Sequence, residues 1–321
     1  GIELFGGCTA LAKVDLPESG IALQYNAFVG TSCAAAAENW KDGMLIIDGY
    51  LFGANEKFKG TSVLRLPEGI VSVAAAAMSA SYGAMGCVDS LSSVVFPQSI
   101  RSIGSKAFYN CPALASVEMP QGVKLNGVGE DVFKGTPYLQ NDANWEDNGL
   151  YLANWLLAVK DTAMTSFTVR EGTEYIVNSS SSSRLFTKTA AASLQSLTLP
   201  SSLKAIGDYA FYYLSELTSV TLPAGLEHIG DDAFANCSKL AQVNLGDCKG
   251  LIEIGSGAFR SCALTVVTIP ASVQTVGNYA FNFNKTLKVY CEAAEQPGGW
   301  GSDWNYCGGE YLPVEWGSAA P

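Results

Sequence analysis

The sequence predicts an α/β solenoid: a right-handed superhelix, strand-rich with short helical or 3₁₀ turns, of about ten coils of roughly 23 residues, carrying two β-hairpin insertions. Three observations predict it. A unit with leading leucines at Leu194, Leu217, Leu240, Leu264 and Leu287 recurs at intervals of 23, 23, 24 and 23 residues. Within each unit, Ile-Gly and Ala-Phe pairs follow at nearly fixed distances. Apolar residues such as Val220 and Leu222 alternate with Ser219 and Thr221, the period-two signature of a half-buried strand.

Each element of the unit has a physical reading. The fullest copy before Leu194 runs Leu91, Val94, Phe96-Pro97, Ile100, Ile103-Gly104 and Ala107-Phe108. From Leu194 it reads Leu197, Leu199-Pro200, Leu203, Ile206-Gly207 and Ala210-Phe211. Proline ends the strand because it lacks the N–H that a ladder needs. The glycine of Ile-Gly is expected to permit a tight reversal. The residue after it is Ser105, Asp208, Asp231, Ser256 or Asn278, all good helix N-cap types, so a short helical or 3₁₀ turn should begin there and drive its phenylalanine inward. Acidic pairs such as Glu130/Asp131 and Asp231/Asp232 suit the same capping role. About five inward side chains per coil, each worth on the order of 1.5–3 kcal/mol when buried, can be covered only by neighbouring coils. Weaker copies start at Leu11 and Leu114 and centre on Leu64 and Phe167, the last being the most degraded.

Two insertions, about 34–61 and 137–165, resemble each other. One runs Asn39-Trp40 through Met44-Leu45-Ile46-Ile47-Asp48-Gly49-Tyr50-Leu51-Phe52. The other runs Asn144-Trp145 through Gly149-Leu150-Tyr151-Leu152-Ala153-Asn154-Trp155-Leu156-Leu157. Asp48-Gly49 between apolar runs is a hairpin-turn signal, and each insertion is read as a β-hairpin added to one coil. Ser179 to Ser183 is a loop in place of the glycine turn. Residues 1–290 read as the solenoid and 291–321 as a C-terminal cap, with three of the six tryptophans in the cap. Cys8, Cys111, Cys237 and Cys262 follow the repeat and are expected to be small buried core residues, with Cys87 as a fifth. Cys291 and Cys307 are the pair placed to form a disulfide.

The pattern Leu-x-x-Val-x-Leu-Pro-x-x-Leu-x-x-Ile-Gly-x-x-Ala-Phe-x-x-Cys resembles the BspA-type leucine-rich repeat family, over nearly the whole chain. The ending Val289-Tyr290-Cys291-Glu292-Ala293, with Trp300, Trp304 and Val314-Glu315-Trp316-Gly317 after it, looks like the closing segment of many such proteins. The resemblance implies a secreted or cell-surface bacterial protein of the adhesin kind, with a host or cell-surface protein or glycoprotein as partner. It brings no shared catalytic residues.

Composition narrows the function classes. A net charge of −11 argues against nucleic acid, which is bound mainly through lysine and arginine, and against anionic membranes. No apolar run is long enough for membrane insertion. Gly1 opens into folded-looking sequence without a signal peptide, and this says nothing of compartment. His228, with Asp231 and Asp232 nearby, could be written as a proton relay. It takes a variable repeat position, however, and reads as a surface histidine. The single histidine and the lack of C-x-x-C leave no zinc signature, and no phosphate loop or nucleophile elbow occurs. No cofactor, metal or catalytic residue is therefore expected.

The candidate ligand contacts are Arg65, Glu118, Gln242 and Asn244 at outward strand positions and Trp40, Tyr50, Trp145, Tyr151 and Trp155 in the hairpins. The outward column is otherwise hydroxyl-rich (Ser196, Thr198, Ser219, Thr221) and poor in the aromatic and arginine anchors of a strong hot spot. The expected function is a non-catalytic, adhesin-like protein-binding domain, extracellular or at the cell surface. The alternatives are a passive stalk or spacer for another module, and a carbohydrate or glycoprotein binder using the hairpin aromatics.

Overall fold

A computed structural model describes residues 4–320. The chain forms a strand-rich solenoid of about eleven turns with few helices. It divides into two compact units, Gly1–Trp145 and Glu146–Pro321.

In the first unit, Val63–Arg65, Ser93–Val95 and Ser116–Glu118 form one parallel sheet, with Leu64, Val94 and Val117 in register. A second sheet begins with the hairpin Met44–Ile47 and Tyr50–Ala54 and continues in parallel through Ser72–Val73, Ser102–Ile103 and Gly127–Val128. The hairpin is therefore more than an addition to a coil, since its second strand is itself a rung of the ladder. The Leu64 segment, expected to be degenerate, is a regular strand. The copy from Leu11 has no strand across Val14–Leu16 and joins the sheet through a single bridge, Gln24 to Ala75.

The second unit repeats the plan. Trp155–Val159, from the hairpin with Gly149–Leu152, leads a parallel sheet through Tyr175–Ile176, Ala205–Ile206, His228–Ile229, Glu253–Ile254 and Thr275–Val276. Phe167, read from sequence as the most degraded position, is buried in a strand paired with Ser196–Thr198. Inside, Phe186, Phe211, Phe234, Phe259 and Phe281 form one column with centroids 5.9, 5.0, 5.3 and 5.8 Å apart. Trp304 closes it edge-on at 6.4 Å. Such pairs add roughly 0.5–1.5 kcal/mol each beyond the area they bury. The expected cap contributes a further rung, because Val314–Trp316 pairs in parallel with Lys288–Cys291, which accounts for eleven turns where sequence suggested ten.

The third side of each coil corrects the helix expectation. The Ala-Phe segments are turns, without a helix for Asp208 or Asp231 to cap. Residues on either side of Ala-Phe adopt left-handed backbone: Tyr209 and Tyr213 in one coil (φ 54 and 69), Asp232 and Asn236 in the next (φ 50 and 62). Their N–H groups therefore point along the solenoid axis and bond the next coil, as in Tyr209 N to Asp231 O, Phe211 N to Ala233 O and Tyr213 N to Ala235 O. A helix would have spent those donors within the coil. The intended cap residues build a side-chain ladder instead. The Asn178 Oδ1 accepts from Asp208 N (3.1 Å), Asp208 Oδ1 from Asp231 N (2.8 Å), Asp231 Oδ1 from Ser256 N (2.6 Å), and Asn278 Oδ1 from Asp303 N (3.0 Å).

The Ile-Gly glycine needs a second correction. Gly104, Gly129, Gly207, Gly230, Gly255 and Gly277 have no positive φ. A Cβ on Gly230 would lie 2.5 Å from Asp208 Oδ1 and 2.6 Å from its backbone N, and one on Gly255 would lie 2.4 Å from the Gly230 carbonyl carbon. The glycine lets one coil approach the turn of the coil before it and does not serve its own reversal.

The cysteines divide as well. Cys87, Cys111, Cys237 and Cys262 are buried as expected, whereas Cys8 is exposed. Cys291 and Cys307 are both buried and free, each taken into the packing of its own strand, so the one pairing that their shared segment left open is not made. Burial pushes the thiols of Cys111, Cys237 and Cys291 up to about 12, which leaves them inert at neutral pH.

Candidate ligand-binding surface

The hairpin aromatics are mostly structural. In the first unit each Asn-Trp dipeptide reaches six residues back. Asn39 Nδ2 donates to Cys33 O and Trp40 Nε1 to Ala34 O. Likewise Asn144 Nδ2 donates to Tyr138 O and Trp145 Nε1 to Leu139 O. Trp40 and Trp145 are thus half-buried pins that fix the approach to a hairpin. Tyr50 is fully buried; its hydroxyl donates to Pro17 O and accepts from Ile21 N, and burial raises its pKa. Tyr50 is withdrawn as a ligand contact, since a strand inside the ladder has coils on both sides. In the second unit, the Tyr151 hydroxyl accepts from Arg170 N, and the Arg170 guanidinium covers the ring at 4.3 Å, pairing also with Glu146 at 2.8 Å.

Of the outward strand positions, Arg65 and Glu118 are exposed on one sheet of the first unit, with Val95 between them in register. Gln242 is exposed beside Ser219. Asn244 is held in place: its Oδ1 accepts from Leu222 N at 2.7 Å, and its Nδ2 donates to Leu222 O and Asp247 Oδ2.

The structure gathers a site that these readings did not assemble. On the outer side of the second unit's long sheet, Trp155, Tyr175, Ala205, His228 and Glu253 occupy one register column. Trp155 is 9% exposed and stacks on Tyr175 at 4.7 Å and 19°, which removes it as a free platform and makes it a wall. The small Ala205 between Tyr175 and His228 leaves a trough of about 380 Å³, bordered by the Asn178, Asp208 and Asp231 ladder. His228 Nδ1 lies 3.3 Å from Glu253 Oε2. Desolvation raises the Asp208 carboxyl, and the carboxylates of Asp231, Glu253 and Asp232 add to the rise, while the Asp231 N–H opposes it. The trough therefore offers an aromatic wall at one end and negative charge at the other, which suits a basic or aliphatic-basic side chain. Sequence gave a signal for it: one outward position per coil reading Tyr175, Ala205, His228, Glu253 is a column once the register is known. Among the described residues, no three His, Cys, Asp or Glu are grouped to hold a metal ion, and no helix is long and apolar enough to cross a membrane.

The BspA type leucine rich repeat region matches in six copies, over residues 1–81, 78–183 and 158–288. Among curated proteins none matches. Similar solved structures include a leucine-rich repeat protein from Bacteroides ovatus (21% identity, TM-score 0.35), aligned over 75% of this chain and 66% of its own length. Others are the T. pallidum leucine rich repeat protein (25%, TM-score 0.31, 71% and 88%) and a leucine rich cell surface protein from Faecalibacterium prausnitzii (19%, TM-score 0.32, 83% and 74%).

Proposed function

The chain belongs to the BspA-type leucine-rich repeat family, and on that premise we propose that it is a non-catalytic protein-binding module of a secreted or surface-exposed bacterial protein, which takes a basic segment of a partner protein into the trough of its second unit. The observation that carries this reading is the trough itself, with the Trp155–Tyr175 stack at one end and Asp208, Asp231 and Glu253 along its length. A lysine or arginine stem would lie on the aromatic wall while its cation meets the carboxylates. His228 and Glu253 form a half-exposed pair with no nucleophile or oxyanion donor set beside them, so binding fits the site better than catalysis does. A passive spacer has no use for a shaped, charged depression. Recognition through the hairpin indoles is not favoured, since the Trp40 and Trp145 N–H groups serve the backbone and the Trp155 ring is buried against Tyr175.

The test is surface plasmon resonance with lysine-rich and glutamate-rich peptides of equal length. The lysine-rich peptide should bind, with affinity falling as salt rises, and the glutamate-rich one should not. The double variant Asp208→Asn/Glu253→Gln, which keeps the Oδ1 acceptor of the ladder, should weaken binding about tenfold or more, the scale of one charge-assisted hydrogen bond. Equal affinity for both peptides, or no loss in the variant, would remove the trough as the site.

A further inference from the structure

A second concavity in the same unit has the opposite charge. It forms where the coil departs from the repeat: the register partners Phe167 and Leu197 are 30 residues apart, against 23 for Val220 and Val243. The additional residues make the serine run and the short helix Lys188–Ala191. The serine run is ordered by its own bonds, with Ser180 and Ser183 exchanging backbone hydrogen bonds and Ser183 N also donating to Ser180 Oγ at 3.0 Å. This turn fixes Arg184, whose Nε donates to Ser181 O at 3.2 Å and whose guanidinium lies 4.9 and 5.1 Å from the ring centres of Tyr212 and Tyr213. Arg184 is half-buried, and among the described residues its terminal nitrogens meet no carboxylate. A guanidinium held on one side by a carbonyl and two rings keeps its terminal nitrogens turned to an incoming anion.

Tyr213 supplies the second observation. Its φ is 69, in the left-handed region, and it is 49% exposed. The same place in the following coils holds Asn236 (φ 62), Ser261 (φ 57) and Phe283 (φ 63, 50% exposed), so small polar residues and an exposed ring both occur there. The Tyr213 ring stands in solvent outside the buried column, and it differs from Phe283 in lying against a guanidinium, that of Arg184. Between Tyr213, Arg184 and Lys188 lies a space of about 590 Å³, with Ser181, Ser182 and Ser215 on its walls. The volume suits a small ligand. The nearby carboxylates are engaged: Asp161 accepts from the Thr187 hydroxyl, and Glu216 pairs with Lys239 at 2.7 Å.

We propose that this concavity binds a sugar bearing a carboxylate. The Arg184 terminal nitrogens, in fork geometry, meet the carboxylate, supported by the Lys188 ammonium. The exposed face of Tyr213 takes the C–H face of the pyranose ring, and the serine hydroxyls bond the sugar hydroxyls in either direction. The site is independent of the acidic trough, in both chemistry and residues.

Isothermal titration of the whole chain with glucuronic acid, glucose and glucose 6-sulfate tests it. Glucuronic acid should bind saturably, with glucose at least tenfold weaker. Arg184→Gln and Tyr213→Asn should each lose tenfold or more for glucuronic acid while melting no lower than the parent and binding the lysine-rich peptide unchanged. Tyr213→Asn introduces the residue that the next coil already uses, so its folding is secure. The proposal is overturned by absence of glucuronic acid binding, by equal binding of glucose, by undiminished binding in either variant, or by a preference for glucose 6-sulfate.

Discussion

Val177 and Gly230 hold the same place in two coils of one sheet, each directly after an isoleucine on the ladder that runs from Ile176 through Ile206 to Ile229. One is a buried β-branched residue and the other cannot carry a Cβ at all. The difference lies in the coil before each. Gly230 abuts the reversal at Gly207-Asp208, whereas Val177 follows the hairpin strand Trp155–Val159, which runs on extended and leaves room. The first unit repeats the rule: Ala74 follows the hairpin strand Tyr50–Ala54, and Gly104 follows the reversal at Ala74-Ala75. A repeat position is therefore set by the neighbouring coil as much as by its own.

The largest expected effect comes from exchanging these two residues. Gly230→Val should cost on the order of 3 kcal/mol or more, because the clash is with backbone and ladder atoms that cannot step aside. Val177→Gly should cost less, roughly 1–3 kcal/mol, from lost burial and added chain entropy. Thermal or urea melts measure both, and a Gly230→Val protein as stable as the parent would break the comparison.

Next in size is Tyr213→Asn, which should stabilise the fold by about 1 kcal/mol through relief of left-handed strain, read from the same melts. A loss of stability would mean that the ring is structural.

The smallest effect separates charge from ladder at Asp208. Its raised carboxyl means that folding favours the protonated form, a contribution fully present below the ordinary carboxylate range and lost as pH rises through the raised value. Asparagine keeps the acceptor for Asp231 N without the charge, as Asn178 does one coil earlier. Asp208→Asn should therefore be slightly more stable than the parent at pH 7, by less than about 1 kcal/mol for a half-exposed group. The advantage should shrink as pH falls to 3. A constant difference across that range would place the effect elsewhere.

Much of the fold was legible. The column from Phe211 to Phe281 was carried by the recurring Ala-Phe pair, because identical inward positions face one another when coils stack, whereas Phe186, which follows the serine run without that pair, was not read as part of it. The helix expectation failed for a definite reason: Asp208 and Ser256 are good N-caps in isolation, yet their bonds run to the next coil, and residue preference says nothing of which coil supplies a partner. The candidate contacts fared unevenly for the same reason. Arg65, Glu118 and Gln242 are exposed, as strand alternation implies. Tyr50 and Trp155 are buried because their hairpin strands became rungs, and Asn244 is spent on Leu222. The trough needed the register, which turns Tyr175, Ala205, His228 and Glu253 into one column, and the serine-lined concavity was not visible, since it is assembled from residues on two adjacent coils.

The sequence by itself determined the repeat, its register and the buried column from Phe211 to Phe281, because an inward position needs only to be apolar and periodic for its neighbours to cover it. Tertiary structure alone decided which glycines are obligatory, where the turn donors go and which aromatics meet solvent. Each of those depends on a backbone about one coil away in sequence but only one strand spacing away in space, and a linear pattern does not record that distance.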